Sequence, residues 1–289
     1  MGLPKFEYLR TKTVEETTGL LMELGEKAKI ISGGTDLIPA MNDGLRPEYL
    51  IDIKGIPELD YLEYDEKTGL RIGALTRLHT IDTSAVVRQN NPSVAEAAGY
   101  VASTQVRSRA TMVGNLCNAS PSCDTGPLLI AQGATVVVCG AQGEREMPVA
   151  ELFRGVKQTT LCRGEFITGI HVPPLARDEY AAYIKHSVRR AMDLAIVGVA
   201  VWLKMSGKTC LDCRIVLGAV ATTPIRVPNA EKVLIGRELT EEFFKKAGVE
   251  AMGSCHPISD VRASAEYRLE MVRINTERAI KKALSAGAA

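Results

Sequence analysis

The first third of the chain alternates between helical and extended spacings of its apolar residues, which predicts an α/β arrangement. Thr13 and Glu16 form a capping box at the start of a helix over residues 14–27. This helix leads into a short strand at residues 29–31. Three more strands are predicted within residues 48–76, where β-branched and aromatic residues alternate with polar ones.

The rest of the chain is divided by loop-forming and proline-rich segments. Small residues at 92–103 have a helical pattern, and residues 111–124 predict a long loop with little charge, of the kind that is often functional. Paired prolines within residues 171–180 indicate a boundary between two units. The elements predicted beyond it are strands at residues 180–187, 194–205 and 210–221, a helix from Thr240 and a long helix over residues 263–285.

Composition and charge argue against several classes of function. A chain of 289 residues can bury the cores of two domains. With 35 basic and 34 acidic residues and no dense basic run, it is not expected to bind nucleic acid. The N-terminal segment lacks the apolar region of a signal peptide, and no apolar run approaches the roughly 18 residues needed to span a bilayer. We therefore expect a cytoplasmic protein without a transmembrane segment.

The seven cysteines are expected to be reduced thiols, because the chain is too long to need disulfide bonds. Cys210 and Cys213 form a C-x-x-C pair, for which metal or redox chemistry is the weaker alternative: no second pair has zinc-ligand spacing, and the flanking residues alternate as a strand does. No cysteine run has the spacing of an iron–sulfur ligand set. The sequence predicts no metal site in this chain.

A tandem glycine follows the first predicted strand, in the stretch KIISGGTDLIPAM. Gly33 and Gly34 allow positive φ and close approach of the backbone to a ligand, and successive N–H groups in such a turn can bind a phosphate. A simple tight turn is the alternative explanation of this stretch. The chain contains neither a P-loop pattern nor a G-x-G-x-x-G opening a helix, so any phosphate site here is of another kind.

A second segment changes the interpretation of the first. QVRSRATMVGNLCNASPSCDTGP, residues 105–127, resembles the second flavin loop of the FAD-binding subunits of molybdenum hydroxylases, the xanthine dehydrogenase and carbon monoxide dehydrogenase family. AKIISGGTDLIP resembles the first flavin loop of that family. The segments that resemble its C-terminal domain are YIKHSVRRAMDLAIVGVAV, LGAVATTPIR and ISDVRASAEYRLEMVR.

The resemblance implies an α+β fold with an FAD-binding domain at residues 1–174. Its two α/β subdomains, about 1–56 and 57–174, would be similar to those of vanillyl-alcohol oxidase relatives. A C-terminal α+β domain at residues 178–286 would contain a three-stranded antiparallel sheet and helices.

The resemblance also implies that two loops hold the FAD pyrophosphate through backbone N–H groups. Hydrogen bonds to a charged group contribute about 1.5–3 kcal/mol each, so small-residue loops could bind the diphosphate without arginine. The first loop consists of Lys29, Ile30, Ile31, Ser32, Gly33, Gly34, Thr35 and Asp36, and the second of Thr111, Met112, Val113, Gly114 and Asn115. Val113 stands where relatives have glycine, and Leu194 stands where certain relatives place a tyrosine over the flavin ring.

Three further residues match cofactor contacts of the family. Asp124 would accept hydrogen bonds from the ribityl chain, and its structural alternative is an N-cap. Lys185 and Ile167 match a lysine and an apolar residue that contact the flavin in relatives. The alternatives are a solvated lysine and a core isoleucine.

The function implied by the resemblance is that of an oxidoreductase subunit with no catalytic side chain of its own. Electrons from a molybdopterin large subunit would pass through the 2Fe-2S clusters of an iron–sulfur small subunit to this FAD, and then to NAD or another acceptor. The implied assembly is a dimer of heterotrimers. A freestanding FAD-dependent oxidase and a non-catalytic nucleotide-binding module remain alternatives, and visible flavin absorption would distinguish the second from the first.

Overall fold

The computed structural model describes residues 2–189 and 191–286, and it begins with a three-stranded parallel sheet. The elements of this N-terminal sheet are β1 (Glu7–Arg10), α1 (Val14–Leu24), β2 (Ala28–Ile31), α2 (Leu37–Asn42) and β3 (Tyr49–Asp52). The strand order is β1-β3-β2, and every pairing is parallel. Strand β1 was not predicted, because it has four mostly exposed residues with no apolar alternation.

Thr13 and Glu16 cap the start of α1 as predicted, except that the Glu16 carboxylate bonds to the residue before the N-cap. Thr13 Oγ1 accepts a hydrogen bond from the Glu16 N–H (3.1 Å), and the Glu16 carboxylate accepts one from the Lys12 N–H (2.8 Å). The helix ends three residues earlier than predicted, because Gly25 adopts φ +54° and a 3₁₀ turn at Gly25–Lys27 follows. This turn delivers the chain directly into β2.

The second unit is built on a five-stranded sheet whose pairings are antiparallel. Its strands are β4 (Leu62–Asp65), β5 (Gly69–Gly73), β6 (Thr135–Gly140), β7 (Gly143–Pro148) and, later in the chain, Phe166–Val172. A small hairpin, β8 (Phe153–Gly155) with β9 (Gln158–Thr159), precedes that last strand, which is therefore β10. The order in the sheet is β4-β5-β10-β6-β7, so β10 returns to the centre of the sheet.

Short helices connect the strands of this second unit. They are α3 (Leu78–Thr83), α4 (Ala85–Asn90), α5 (Pro92–Gly99), α6 (Thr104–Arg107), α7 (Met112–Cys117), α8 (Thr125–Ala131) and α9 (Val149–Leu152). The prediction of an irregular loop over residues 111–124 was wrong in part, since α7 occupies its first half. Sequence pattern alone misses α7 because a helix of six small and mixed residues has too few turns to show a period.

The C-terminal unit is an antiparallel sheet covered on one face by helices. Its elements are β11 (Glu179–His186), β12 (Val197–Ser206), β13 (Thr209–Gly218), β14 (Ile225–Arg226), α10 (Pro228–Leu234), α11 (Glu241–Met252) and α12 (Ala265–Ala286). The three predicted strands are present, and the sheet has a fourth, β14, whose two residues are too few to give a sequence signal.

Side chains alternate between the two faces of the C-terminal sheet, as the pleat requires. One face joins the core of the second unit and contributes Ala181, Tyr183, Ala200, Trp202 and Val216. The other face packs with α10, α11 and α12 and contributes Val199, Val201, Leu203, Ile215 and Leu217. The sheet is therefore a middle layer, and its first face is available to meet a site in the preceding unit.

A β-bulge in β13 decides where the C-x-x-C pair lies. The register shifts so that Lys204 pairs with Asp212 and Met205 with Cys210, which leaves Leu211 as the extra residue. Cys210 and Cys213, three positions apart, consequently both lie in the core between the sheet and the helices, with 0% exposure. Within residues 2–189 and 191–286, no group of three His, Cys, Asp or Glu side chains is arranged to hold a metal ion.

None of the helices that the structure describes combines the length and the apolar composition needed to cross a membrane.

Candidate functional site

The two glycine-containing loops predicted from the sequence lie against each other. Ser32 Oγ and Thr111 Oγ1 are 3.3 Å apart and form a hydrogen bond. A Cβ at Gly33 would lie 2.2 Å from the Arg109 carbonyl oxygen and 2.9 Å from the Ala110 Cα. The first glycine therefore permits contact between the two loops, which the sequence could not distinguish from contact with a ligand.

Gly34 is needed for a different reason, its backbone conformation. Gly34 adopts φ +73°, a conformation that side-chain-bearing residues rarely adopt, and α2 begins three residues later. The N–H groups of Gly34, Thr35 and Asp36 donate to no acceptor among the residues that the structure describes, although the Gly34 carbonyl accepts from the Ile38 N–H (3.0 Å). Asp36 does not cap α2 with its side chain. Consecutive free donors of this kind fit an anionic group such as a diphosphate.

The second loop is the start of α7. Thr111 is the N-cap, and its Oγ1 accepts from the Gly114 N–H (3.0 Å). The side chains of Met112 and Val113 are 1% and 6% exposed and belong to the core of the second unit. The valine found where relatives have glycine thus contributes its side chain to the core.

Asn115 connects this loop to the residues around Asp124. Its Oδ1 accepts hydrogen bonds from Cys123 Sγ (3.0 Å) and from Thr125 Oγ1 (2.7 Å). Burial raises the pKa of Cys123 to about 11, so at neutral pH it is a thiol that can donate this bond. Cys123 Sγ also accepts from the Gly126 N–H (3.4 Å) at the start of α8. Asp124 occupies the N-cap position of α8, but the capping role considered for it is wrong, since its side chain makes no cap bond and that of the neighbouring Cys123 does.

Asp124, in the second unit, and Lys185, in the C-terminal unit, form a buried ion pair. Lys185 Nζ donates to Asp124 Oδ2 (2.8 Å) and to the Tyr100 carbonyl (3.0 Å), and Tyr183 OH donates to Asp124 Oδ1 (3.1 Å). The side chains of Lys185 and Asp124 are 6% and 8% exposed. The solvated-lysine alternative for Lys185 is therefore wrong.

The electrostatics of this pair follow from its burial. Desolvation raises the pKa of Asp124, and the ammonium of Lys185 and the hydroxyl of Tyr183 oppose that rise. Burial, with the Asp124 carboxylate nearby, raises the pKa of Tyr183 well above its ordinary value, so Tyr183 stays a donor. Removing Lys185 would leave the buried Asp124 carboxylate without an opposite charge, and removing the Tyr183 hydroxyl would leave it one hydrogen bond fewer.

Further hydrogen bonds join the residues that surround the Asp124–Lys185 ion pair. Glu96 Oε1 accepts from Tyr100 OH (2.8 Å) and from Lys282 Nζ (2.5 Å), and Lys282 also donates to the Tyr183 carbonyl (3.0 Å). The rings of Tyr100 and Tyr183 meet edge to face with centroids 6.0 Å apart. We call Glu96, Tyr100, Asp124, Tyr183, Lys185 and Lys282 the interdomain network.

The sequence alone predicted only two members of this network, Asp124 and Lys185. Tyr183 could have been found, because it lies two residues before Lys185 in a predicted strand and so shares its face. Glu96 and Lys282 are 186 residues apart in the sequence, and no local pattern links them.

The remaining predicted site residues lie at different distances from solvent. Lys29, Ile30 and Ile31 are in β2, with Lys29 exposed. Ile167 is 2% exposed in β10, within the core of the second unit. Leu194 is 46% exposed in the connection between β11 and β12. The structure joins the two loops to each other, and through Asn115 to the neighbours of Asp124. Ile167 and Leu194 are not members of this hydrogen-bonded set.

Gly198 is required for the hydroxyl of Tyr183 to reach Asp124. A Cβ at Gly198 would lie 2.7 Å from Tyr183 OH and 3.2 Å from its Cε2. We expect Gly198→Ala to displace the buried tyrosine and to lower the free energy of unfolding by about 1–3 kcal/mol, as overpacking of a core does. Urea unfolding followed by circular dichroism measures this.

The matched control for this prediction is Gly19→Ala. Gly19 lies inside α1 with no atom within 4 Å of a Cβ, so alanine should stabilise the helix by about 0.5–1 kcal/mol. In a Tyr183→Phe background, Gly198→Ala should lower the free energy of unfolding by less, because the Tyr183 hydroxyl, the atom closest to the new Cβ, is absent. If Gly198→Ala lowered the free energy of unfolding equally in the wild type and in the Tyr183→Phe variant, the contact between position 198 and the Tyr183 hydroxyl would be contradicted.

Comparison with known proteins gives matches along nearly the whole chain. Residues 4–175 match the family model described as the FAD binding domain in molybdopterin dehydrogenase, and residues 182–283 match the CO dehydrogenase flavoprotein C-terminal domain. The glyceraldehyde dehydrogenase medium chain of Sulfolobus acidocaldarius is 34% identical over 280 residues, which cover 96% of this chain and 98% of that protein.

Carbon monoxide dehydrogenase from Hydrogenophaga pseudoflava is similar in both sequence and structure. Its medium chain is 36% identical over 281 residues, covering 97% of each protein. The solved structure of that enzyme lacking the Mo-pyranopterin moiety of its molybdenum cofactor contains a chain that superposes with a TM-score of 0.95, at 36% identity, with 99% of both chains covered.

Proposed function

Since the chain belongs to the family of FAD-binding subunits of molybdenum hydroxylases, of the carbon monoxide dehydrogenase and xanthine dehydrogenase type, we propose that it carries electrons from the iron–sulfur clusters of a partner subunit through FAD to NAD or another acceptor. The family predicted from the two loop motifs is confirmed, and with it an oxidoreductase subunit that has an FAD-binding domain. The route of the electrons and the identity of the acceptor are the proposed part.

The observation that carries the proposal is the meeting of the two loops. Gly33 packs on Arg109 and Ala110, and Ser32 is hydrogen-bonded to Thr111, so the free N–H groups after Gly33 lie beside the start of α7. The two loops together form a wall of small residues, whose established free donors among the described residues are the N–H groups of Gly34, Thr35 and Asp36. A diphosphate, with two negative charges, is the ligand chemistry that suits such a wall.

We assign the loop residues and the network residues different tasks. The first loop, from Lys29 to Asp36, binds the pyrophosphate through the free N–H groups of Gly34, Thr35 and Asp36. The second, from Thr111 to Asn115, lies beside it, although its Gly114 and Asn115 N–H groups already donate to Thr111. Asp124 orients the ribityl chain as a hydrogen-bond acceptor, and Lys185 and Tyr183 hold its carboxylate in place. We retain Lys185 and Ile167 as proposed neighbours of the flavin, although the Ile167 side chain is 2% exposed in the core of the second unit. Bound FAD supplies the redox chemistry.

We also propose the domain division and the assembly. The FAD-binding domain is residues 1–174, with subdomains of about 1–56 and 57–174, and the C-terminal domain is residues 178–286. The interdomain network would then fix the second domain over the ribityl end of the cofactor. A partner must bring the iron–sulfur clusters, since no cluster-ligand spacing occurs among the seven cysteines. We propose an iron–sulfur subunit and a molybdopterin subunit, in a dimer of heterotrimers.

The experiment that tests this function compares the lone chain with the complex. The purified chain should release FAD rather than FMN on acid treatment, as separated by chromatography, and its flavin should be reduced by artificial donors. It should oxidise no aldehyde, N-heterocycle or carbon monoxide by itself. Activity should appear on co-expression with the subunits encoded by its native host.

Two results would contradict the proposal in distinguishable ways. Release of FMN, or of no flavin from a folded chain, would remove the assignment of the two loops to a diphosphate. Steady oxidation of an organic substrate by the lone chain would support the freestanding oxidase instead.

A further inference from the structure

A cavity of about 340 Å³ lies on the face of the C-terminal sheet opposite the helices. Its apolar walls include Pro173, Leu175 and Trp202, and its polar side chains are Gln132, Glu179 and Arg214. This volume is within the range of about 300–1,000 Å³ that small-molecule sites occupy. The residues of the proposed flavin site do not line it.

Arg214 is the unusual member of this cavity. Its guanidinium lies over the Trp202 ring, 4.0 Å from the centroid, and its Nε is buried without a hydrogen-bond partner among the described residues. Within residues 2–189 and 191–286, Arg214 forms no ion pair. Its neighbours Lys204 and Arg226 pair with Glu179 and Glu231, respectively. The buried Nε is desolvated and has no acceptor among the described residues, so an anion at the edge of the guanidinium would offset that cost.

The other polar side chains of the cavity are already engaged. Gln132 exchanges hydrogen bonds with Asn91 and Ser93 through both ends of its amide (2.7–3.1 Å). Glu179 accepts from Lys204 Nζ (3.4 Å) and from the Ala176 N–H (3.3 Å). Arg214 is therefore the group in the cavity with donors to offer.

The backbone next to the cavity is shaped to admit this side chain. Gly133 adopts φ +74°, and a Cβ there would lie 2.5 Å from Arg214 Nη1. Trp202 and Arg214 are directly opposite each other on β12 and β13, which fixes the stack. The guanidinium is thus held by its apolar face, with its donors left for another group.

We propose that this cavity binds a small organic monocarboxylate, with Arg214 as the bidentate donor and Trp202 and the proline segment as apolar walls. A carboxylate matches the fork of a guanidinium, and an aromatic or aliphatic body matches the walls. Binding in this cavity does not require the flavin site, so it would be unaffected if the proposed electron-transfer function were contradicted.

Trp202 gives a direct test, because it is the single tryptophan of the chain. Titrating the full-length holoprotein with sodium benzoate, at ionic strength kept constant with sodium chloride, should change the tryptophan fluorescence with a saturable midpoint of about 1 mM. Benzyl alcohol, which has the ring without the charge, should bind at least about tenfold more weakly. The absence of a saturable change by about 50 mM benzoate would overturn the proposal.

Variants of Arg214 identify the binding group. Arg214→Gln should raise the benzoate midpoint at least about tenfold, and Arg214→Lys, which keeps the charge and loses the fork, should raise it by a smaller factor. The matched control is Arg154→Gln, an exposed arginine elsewhere, which should leave the midpoint unchanged. Equal midpoints for benzoate and benzyl alcohol, or for wild type and both Arg214 variants, would contradict a carboxylate site.

Discussion

Lys185→Met is expected to destabilise the apoprotein by about 3–5 kcal/mol and to abolish stable FAD binding. Methionine has nearly the length of lysine but no charge. The Asp124 side chain is only 8% exposed, so in the variant its buried carboxylate keeps Tyr183 as its remaining side-chain donor. A buried charge that has lost its partner costs more than the pair itself contributes. Chemical denaturation of the apoprotein and a titration with FAD measure the two effects separately, since bound cofactor adds stability of its own.

The pH dependence of this variant has a definite sign. Burial raises the pKa of Asp124 and Lys185 opposes the rise, so removing Lys185 raises that pKa further. Between the ordinary pKa and the raised one, the native state binds more protons than the unfolded state, and the free energy of unfolding therefore falls as pH rises. Lys185→Met should recover stability when the pH is lowered from neutral towards about 5, where wild type should change less.

The matched control removes both charges. Asp124→Asn combined with Lys185→Met should be more stable at neutral pH than Lys185→Met alone, and its stability should lose the extra pH dependence. A double variant that is destabilised by the sum of the two single changes would show that the pair acts through packing and not through charge.

Gly33→Ala is expected to lower FAD affinity by about 100-fold or more, because the added Cβ would force the two loops apart. The clash is with backbone atoms, the Arg109 carbonyl oxygen at 2.2 Å and its carbon at 2.8 Å, which cannot rotate away. Two displaced hydrogen bonds to a diphosphate, at about 1.5–3 kcal/mol each, account for the loss. The ratio of flavin to protein absorbance after purification, followed by an FAD titration, measures it.

Ser32→Ala is the control for the same loop. It removes the hydrogen bond to Thr111 (3.3 Å) without adding volume, so it should lower apoprotein stability by about 0.5–1.5 kcal/mol and retain flavin. Wild-type flavin content in Gly33→Ala would exclude the two loops as the diphosphate site. Gly34 is less suitable for this test, because its φ of +73° would add backbone strain to any substitution.

The elements that the sequence alone predicted well are those with strong local signals. The capping box of Thr13 and Glu16 placed the start of α1, and long alternating runs placed β11, β12 and β13. The family motifs were equally local, since each occupies a continuous segment of chain, and they identified the FAD-binding family. Short elements such as β1, α7 and β14 were missed because two to six residues cannot show a period.

For this protein, the sequence by itself determined the family, the fold class and the two segments that form the candidate diphosphate site. Only the tertiary structure decided that Gly33 serves contact between those segments, that Cys123 takes the capping role considered for Asp124, and that Lys185 is buried against Asp124. The physical reason is that Gly33 meets Arg109, and Lys185 meets Asp124, across long stretches of chain, as Lys282 meets Glu96 over 186 positions. The Cys123 cap spans only three residues, but the Asp124 side chain that the sequence offered for it is engaged by Lys185 and Tyr183. Local patterns encode helix period and turn geometry, whereas the partner of a buried charge depends on which layers the fold brings together.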